Sequence, residues 1–323
     1  MGLPSPRLIA LDWGTSALRA YLLADDATVL DVRSRPWGIM HLPPGGFPAA
    51  FHDTVGDWRD AHPGVPAIAA GMVGSAQGWV EAAYCPCPAG PQELARVVRQ
   101  VDIGGNAVLH IIPGVEQRGA APNVMRGEET QIVGALGLDP ALRERALLVL
   151  PGTHCKWVDI RAGRIERFET FMTGELFSVL CEHTILGRPA RAAEPLPAPA
   201  WPAFARGVDL IREAGERGLA PNLFLARSLV LNGTLQPAES LDFLSGLLIG
   251  EELRVALRNS PADSLVLIGE AALCGRYQRA FAQFGYPDVR RIENVSPAGL
   301  WHIAAMAGLL GASASSASPE TTP

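Results

Sequence analysis

Two segments of the chain share one pattern, in which a short polar turn separates two apolar runs. They span residues 8–23 and 147–160, and each predicts a β-strand, a tight turn and a second β-strand. Both turns contain glycine and threonine, so both can offer hydroxyl and backbone N–H groups to the oxygens of a phosphate. Any fold for this chain must therefore accommodate two hairpins of the same kind. Ordinary surface hairpins are the alternative, because Asp-x-Gly-Thr is a favourable turn sequence in any protein.

The first turn carries an acid, a glycine and two hydroxyl groups. Asp12 can hold a hydrated Mg²⁺ ion that bridges phosphates, because Mg²⁺ prefers oxygen ligands and retains several waters. Gly14 lets the backbone come close to an anion. Thr15 and Ser16 supply hydrogen-bond donors next to it.

The second turn is followed by Lys156, which is the only lysine in the protein. A compositional bias that has replaced lysine by arginine elsewhere has not done so here. A compact ammonium group beside Gly152 and Thr153 would suit the terminal phosphates of a nucleotide. The alternative is a hairpin whose lysine points into water.

A glycine-rich loop follows the buried strand predicted at residues 65–70. Such loops carry ligand contacts in α/β folds. Ser75 and Gln77 could bind sugar hydroxyls, and Trp79 could cover an apolar face of a substrate. The alternative is that the glycines serve close packing and that Trp79 belongs to the core.

A helix is predicted to begin after Gly127, where two acids precede apolar residues at helical spacing. Acids in a first turn are favoured by the helix dipole alone. A carboxylate there could also take a proton from an attacking hydroxyl.

Elsewhere the sequence predicts a proline-rich loop at residues 84–91, a short helix at 93–101, and a helix opened by Gly174 and Glu175.

Composition limits the classes of partner. At 323 residues the chain is long for one hydrophobic core, which predicts two domains with room for a ligand between them. A net charge of −6 with scattered arginines leaves no electrostatic footprint for nucleic acid or an anionic membrane. The five cysteines lack metal or redox spacing, and no leader or membrane-length apolar run is present. We therefore expect a cytoplasmic protein with small-molecule partners, and neither nucleic acid nor membrane.

Four motifs, in their order and spacing, resemble the superfamily of sugar kinases, actin and heat-shock chaperones, and more closely the 2-dehydro-3-deoxygalactonokinase family. They are Asp12-Trp-Gly-Thr-Ser16, Gly71-Met-Val-Gly-Ser75, Arg126-Gly-Glu-Glu-Thr-Gln131 and Pro151-Gly-Thr-His-Cys-Lys156. Residues 171–177 and 267–273 are also similar to that family, so the resemblance spans nearly the whole chain.

The resemblance implies an α/β fold with two ribonuclease-H-like domains of the actin-like ATPase type and an interdomain cleft. The expected domains are residues 1–137, with the sugar-acid contacts, and residues 138–311, with the nucleotide site. A disordered tail is expected at 312–323, where serine, alanine, proline and threonine dominate. The apolar helix predicted at 296–310 would cross back between the domains.

The implied reaction is Mg²⁺-dependent transfer of the γ-phosphoryl group of ATP to the 6-hydroxyl of 2-dehydro-3-deoxy-D-galactonate, a step of D-galactonate catabolism. One alternative is a kinase for another small sugar or keto-deoxy sugar acid. The other is a non-kinase nucleotide-binding protein of the same fold. The oligomeric state stays open, with a homodimer among the options.

The resemblance also implies roles for individual residues. Glu128 or Glu129 would be the catalytic base, and Asp12 would hold the metal. Lys156 would neutralise developing charge, and Arg126 would meet the substrate carboxylate. The expected nucleotide contacts lie in the two turns and at a later strand end: Asp12, Gly14, Thr15, Ser16, Gly152, Thr153, Lys156, Gly269 and Ala271. The expected substrate contacts are Gly71, Ser75, Gln77, Trp79, Arg126 and Glu175.

Overall fold

The computed structural model describes residues 4–105, 107–258 and 264–311. The segment 312–323, for which the sequence predicts a disordered tail, lies outside the described residues. The strands, in chain order, are β1 (Leu8–Trp13), β2 (Leu18–Leu23), β3 (Val29–Arg35), β4 (Ala67–Ala70), β5 (Tyr84–Pro86), β6 (Arg99–Asp102), β7 (Val108–Ile111), β8 (Gly114–Gln117), β9 (Asn123–Met125), β10 (Arg145–Leu150), β11 (Cys155–Arg161), β12 (Arg164–Phe171), β13 (Leu265–Ile268) and β14 (Arg290–Ile292).

The helices are α1 (Gly46–Ala61), α2 (Pro91–Arg96), α3 (Glu128–Leu138), α4 (Thr173–His183), α5 (Arg188–Arg191), α6 (Trp201–Arg212), α7 (Leu225–Leu231), α8 (Ser240–Ala256), α9 (Ala271–Gln283) and α10 (Val295–Met306). Over the described ranges, we find no helix with both the length and the apolar character needed to cross a membrane.

Two sheets repeat the same strand order. The larger sheet runs β3-β2-β1-β4-β7-β6, and the other runs β12-β11-β10-β13-β14. In both, the hairpin that carries the polar turn is antiparallel, and its first strand pairs in parallel with a strand from further along the chain. This duplicated α/β arrangement is that of two ribonuclease-H-like domains, so the predicted fold class is confirmed. A small three-stranded sheet, β5-β8-β9, completes the set.

The chain divides into two compact units. Unit 1 comprises residues 4–143, 163–166 and 294–311, and unit 2 comprises residues 144–162 and 167–293. This division differs from the domain limits predicted at residue 137, and it assigns the last helix to unit 1. The physical reason is that α10 crosses α3 at very close range within unit 1.

Helices α3 and α10 cross through a pair of glycines. A Cβ atom on Gly134 would lie 1.9 Å from the carbonyl oxygen of Val295, and one on Gly299 would lie 1.9 Å from that of Thr130. The two backbones therefore touch with no side chain between them. Such contact fixes α10 firmly against the helix that begins at Glu128.

Each unit has its own core of buried apolar side chains. In unit 1, Trp13 of β1 packs with Phe51 and Trp58 of α1. In unit 2, Trp157 of β11 packs with Phe204 and Phe281. The polar residues of the two turns, 14–16 and 152–154, do not belong to these cores.

Two short segments differ from the sequence prediction. The proline-rich stretch predicted as a loop contains β5, which pairs in parallel with β8. The helix predicted at 93–101 ends at Arg96, and Arg99–Asp102 forms an antiparallel strand with β7 instead. Most side chains of that strand are exposed, so it lacks the apolar signal that identifies buried strands.

Candidate functional site

Asp12 lies near the end of β1, where its neighbour in the parallel strand β4 is Ala70. Residues that follow these two strands therefore leave the sheet at the same edge. The Gly71 loop follows β4 directly, so the first polar turn and the glycine-rich loop share this edge. Ligand contacts collect at such strand ends in α/β folds.

Asp12 interacts with several polar and charged side chains of unit 1. Ser296 Oγ, in the first turn of α10, donates a hydrogen bond to Asp12 Oδ2 at 3.0 Å. Burial raises the pKa of Asp12 above its ordinary value, the Ser296 hydroxyl and the charge of Arg19 oppose this rise, and the nearby Glu128 carboxylate adds to it. Sequence analysis did not identify Ser296 as a site residue, since it lies 284 residues after Asp12.

The turn itself is exposed and well supported. Gly14 N donates to Ala17 O at 2.9 Å and closes the hairpin, while Thr15 and Ser16 are exposed. The backbone N–H groups of Ile39 and Met40 donate to the carbonyls of Gly14 and Thr15. The hydroxyl groups of the turn are thus held towards solvent by a fixed backbone.

Three backbone segments converge beside Asp12. A Cβ atom on Gly71 would lie 2.7 Å from Trp13 O, and one on Gly127 would lie 3.3 Å from Gly71 Cα. Both glycines have positive φ, +97° and +107°, which other residues adopt with strain. Glycine at these positions brings the first turn, the Gly71 loop and the start of α3 together.

Glu128 and Glu129 have different environments at the start of α3. Glu128 is half-buried, and its Oε2 accepts a hydrogen bond from Arg126 N at 3.0 Å. Glu129 is fully buried, with Oε2 accepting from Gly127 N at 2.7 Å and Oε1 from Thr130 Oγ1 at 3.1 Å. Burial, with a further contribution from Glu128, raises the pKa of Glu129 to about 8.

Arg126 and Ser75 carry buried polar atoms with no hydrogen-bond partner. The Arg126 guanidinium lies 4.3 Å from the centre of the Tyr84 ring, and its Nη2 donates to Ala82 O at 2.8 Å. Its Nε and Nη1 atoms, and Ser75 Oγ, have no partner. The Nη1 atom lies close to the backbone of Gly74. A Cβ atom on Gly74 would be only 3.1 Å from it.

The other two residues of the Gly71 loop behave differently. Gln77 is exposed. The Trp79 ring stacks on Phe47 at 6.0 Å and meets Trp13 and Phe51 edge-on, so it contributes to the core, as the alternative interpretation of the sequence required. The residue is only partly buried.

The second polar turn lies on the first turn of α4, within unit 2. Glu175 N donates to Thr153 O at 3.0 Å, and a Cβ atom on Gly174 would lie 2.3 Å from Gly152 O. The Glu175 carboxylate forms a short hydrogen bond with His154 Nε2. Glu175 therefore lies beside the second turn.

Lys156 is buried, with 3% of its surface exposed. Its Nζ donates to His154 O at 3.2 Å, in the same turn. The alternative in which this side chain points into water is therefore wrong. Its backbone lies opposite Leu150, in the strand pair next to the turn.

Gly269 and Ala271 flank the start of α9. Gly269 has φ +151°, and a Cβ atom there would lie 3.5 Å from Pro151 O of the second turn. Glu270 caps α9 by accepting hydrogen bonds from Ala272 N and Leu273 N, which lower its pKa. Ala271 is exposed.

A cavity of about 130 Å³ adjoins the second turn in unit 2. Its walls come from that turn and from α4, α8 and α9, and its lining residues are Gly152, Thr173, Gly174, Phe177, Ser245, Leu248, Ile249, Leu273, Arg276 and Tyr277. Arg276 Nη2 donates to Asp242 Oδ1 at 2.6 Å, while its Nη1 is buried without a partner. An apolar cavity with a few polar groups is the usual form of a small-molecule site.

The donor set beside the first turn suits Mg²⁺. Asp12 and Glu128 are carboxylates close enough to raise the pKa of Asp12, so a cation there would relieve their repulsion. No group of three or more histidine, cysteine, aspartate or glutamate side chains that could hold a metal occurs among the described residues. Mg²⁺ is commonly bound by one or two carboxylates together with substrate phosphates, so this sparse set fits it.

The predicted site residues thus fall into two groups. Unit 1 brings together Asp12, the first turn, the Gly71 loop and the Arg126–Glu129 segment. Unit 2 brings together the second turn, Glu175, Lys156 and Gly269. Ser296, Arg276 and the cavity-lining residues of α8 were missed by the sequence analysis.

Comparison with known proteins identifies relatives over most of the chain. The family model of 2-keto-3-deoxy-galactonokinase matches residues 12–303. The 2-dehydro-3-deoxygalactonokinase of Escherichia coli (strain K12) is 37% identical over 282 residues, which cover 86% of this chain and 90% of that protein. A candidate enzyme of the same name from Rhizobium meliloti is 37% identical, over 88% and 91% of the two chains. The crystal structure of a candidate 2-dehydro-3-deoxygalactonokinase from Sinorhizobium meliloti superposes with a TM-score of 0.81 at 35% identity, covering 92% of this chain and 98% of that one.

Proposed function

The chain belongs to the 2-keto-3-deoxy-galactonokinase family, and from this we propose that it transfers the γ-phosphoryl group of ATP to the 6-hydroxyl of 2-dehydro-3-deoxy-D-galactonate. The observation that carries the proposal is the extent of the match, which begins at Asp12 and includes both polar turns. The reaction belongs to D-galactonate catabolism, and we assign it to the cytoplasm.

Glu128 is the catalytic base in this proposal. Its carboxylate is half-buried and electrostatically coupled to Asp12, whereas Glu129 is fully buried and has both oxygens engaged. A base must be able to reach the hydroxyl from which it takes the proton. The 6-hydroxyl proton passes to a Glu128 oxygen as the hydroxyl oxygen attacks the γ-phosphorus, while the bond from that phosphorus to the β,γ-bridging oxygen breaks and ADP leaves.

Asp12 holds Mg²⁺, which supplies charge neutralisation on the phosphates when it is bound. Ser296 keeps the Asp12 carboxylate oriented and opposes the rise in its pKa that burial causes. Thr15 and Ser16 of the first turn and Gly152 and Thr153 of the second offer hydroxyl and backbone donors to phosphate oxygens.

The nucleoside part of ATP occupies the cavity of unit 2. Support comes from the position of this cavity, which is lined by Gly152 of the second turn and by the N-terminal turn of α4. Gly269 and Ala271 lie where the family resemblance expects adenosine contacts. Lys156 contributes positive charge from within the hairpin.

The sugar acid is bound by unit 1 in this proposal. Ser75 Oγ and two Arg126 nitrogens have unmet hydrogen-bonding capacity, which an anionic, hydroxylated ligand could meet after a small local shift. The substrate carboxylate is accordingly assigned to Arg126. Gln77, which is exposed on the same loop, is placed to contact a sugar hydroxyl.

Release of ADP from ATP and Mg²⁺ in the presence of a panel of keto-deoxy sugar acids tests the proposal. We expect turnover with 2-dehydro-3-deoxy-D-galactonate to exceed turnover with its stereoisomers and with water alone. Preference for a different sugar acid would support the assignment as a kinase and contradict the assignment of the substrate. ADP release that ignores every sugar acid would refute the kinase assignment.

A further inference from the structure

A fully buried carboxylate lies at the centre of unit 2, outside every predicted motif. Glu252 of α8 is 2% exposed. Its Oε1 accepts a hydrogen bond from Trp157 Nε1 at 2.7 Å, and its Oε2 accepts one from Tyr277 OH at 2.7 Å. The Thr173 hydroxyl donates a further short hydrogen bond to Oε2.

This network joins four elements through one side chain. Trp157 belongs to β11, Thr173 opens α4, Tyr277 lies on α9, and Glu252 itself lies on α8. Burial raises the pKa of Glu252, and hydrogen bonds from Cys155, Thr173, Trp157 and Tyr277 lower it. A buried carboxylate is costly unless it is fully hydrogen-bonded, so its presence here calls for a role that an apolar side chain could not perform.

Two of the partners reach the nucleotide cavity. Thr173 and Tyr277 both line it. On α8, Ser245, Leu248 and Ile249 line the same cavity, and Glu252 follows at the spacing that keeps it on their face of the helix. Glu252 therefore lies one helical turn beyond the cavity wall.

Thr173 also leads to the second polar turn. The next residue, Gly174, packs directly on Gly152, and Glu175 N donates to Thr153 O. A displacement of Thr173 would be transmitted to this turn, because the backbones of Gly174 and Gly152 are in direct contact. The position of the turn thus depends on the hydroxyl that Glu252 holds.

We propose that Glu252 is a positioning residue for nucleotide binding, which sets the first turn of α4 through Thr173 and one wall of the cavity through Tyr277. The proposal rests on the assignment of ATP to unit 2. It gives Glu252 no contact with the reacting atoms. Its effect is on the affinity for the nucleotide and not on the binding of the sugar acid.

Calorimetric titration of the full chain with ADP tests this inference. Glu252→Gln keeps the shape but replaces one acceptor oxygen by a donor, and Thr173→Val removes only the hydroxyl. We expect each variant to raise the Kd for ADP by at least roughly tenfold, the range expected when a hydrogen bond to a charged group is lost. The KM for ATP should rise in parallel, while the KM for the sugar acid should stay unchanged.

Two matched controls separate positioning from general damage. Thr173→Ser retains the hydroxyl and should restore ADP binding close to wild type. Glu251→Gln alters the neighbouring acid, which is not part of the network and forms an ion pair with Arg254 at 2.6 Å. This variant should bind ADP normally. If Glu252→Gln does not fold, the valine and serine variants of Thr173 still give the answer.

The inference is overturned if Glu252→Gln or Thr173→Val binds ADP like the wild type, even if less folded protein is obtained. It is also overturned if the KM values for ATP and sugar acid rise equally. Wild-type protein that binds ADP but phosphorylates no sugar acid would refute the proposed function alone. Wild-type protein that binds no nucleotide would refute both.

Discussion

At the scale of single residues, the structure separates two adjacent acids that the sequence presents as equivalent. Glu128 is half-buried near Asp12, whereas Glu129, the next residue of α3, is fully buried. The difference arises because successive helical residues point about 100° apart, so that the two side chains enter different surroundings. Their substitutions should therefore have different effects.

Glu128→Gln should lower kcat by about 10²- to 10⁴-fold, the usual contribution of a general base, with little change in the KM for ATP. Steady-state kinetics with saturating sugar acid provides the measurement. Glu129→Gln is the matched control and should retain most of the turnover. The assignment of the base fails if the effects of the two variants are reversed.

Glu129 makes a distinct prediction about stability. Its pKa in the folded state is about 8, above the ordinary value of 4.5, so the folded protein binds a proton that the unfolded chain releases. The contribution of this group is complete below pH 4.5 and is lost as pH rises towards 8. The free energy of unfolding should fall across that window by up to about 1.4 kcal/mol per pH unit. Urea unfolding at several pH values would measure this slope, and Glu129→Gln should flatten it; an unchanged slope would contradict the assignment.

At the scale of secondary-structure elements, the crossing of α3 and α10 determines where the proposed catalytic segment lies. Gly134 and Gly299 allow the two helix backbones to touch. The same crossing brings Ser296 to Asp12, so α10 supports the site through both its backbone and a side chain. A helix that composition describes only as apolar is therefore part of the scaffold of the proposed active site.

Gly299→Ala should destabilise the protein by about 1–3 kcal/mol or more, because the added methyl group overlaps Thr130 O. Gly275→Ala on α9 is the matched control, since nothing lies within 4 Å of its Cβ position. The control should be neutral or more stable by up to about 1 kcal/mol, as helix propensity predicts. Thermal unfolding compares the two, and equal melting temperatures would show that the crossing tolerates a side chain.

At the scale of the whole molecule, the duplicated sheet order gives each unit one polar turn at the end of its central hairpin. If both turns contribute to ATP binding, ATP and Mg²⁺ should protect backbone amides at residues 14–16 and at 152–154. Millisecond hydrogen exchange can resolve such exposed turns, and the edge strand β3 provides an internal control. Protection confined to one turn would remove the other from the proposed site.

The sequence was sufficient for features with a local signal. Both hairpins, the Gly71 loop and the start of α3 were predicted because apolar runs, glycines and first-turn acids lie next to each other in the chain. The strand Arg99–Asp102 was not, because its side chains are mostly exposed and its structure comes from pairing with β7. Ser296 and Glu252 were not, because their partners are far apart in sequence and a single polar residue within an apolar helix carries no pattern.

The burial of Lys156 has a practical consequence for chemical labelling. The protein has only one side-chain amine, and that amine is buried beside the second polar turn. Acylating reagents should modify this position slowly in the folded protein and quickly once the hairpin opens. The extent of acylation at one known position can therefore serve as an intrinsic reporter of local opening, without a dye or an engineered cysteine.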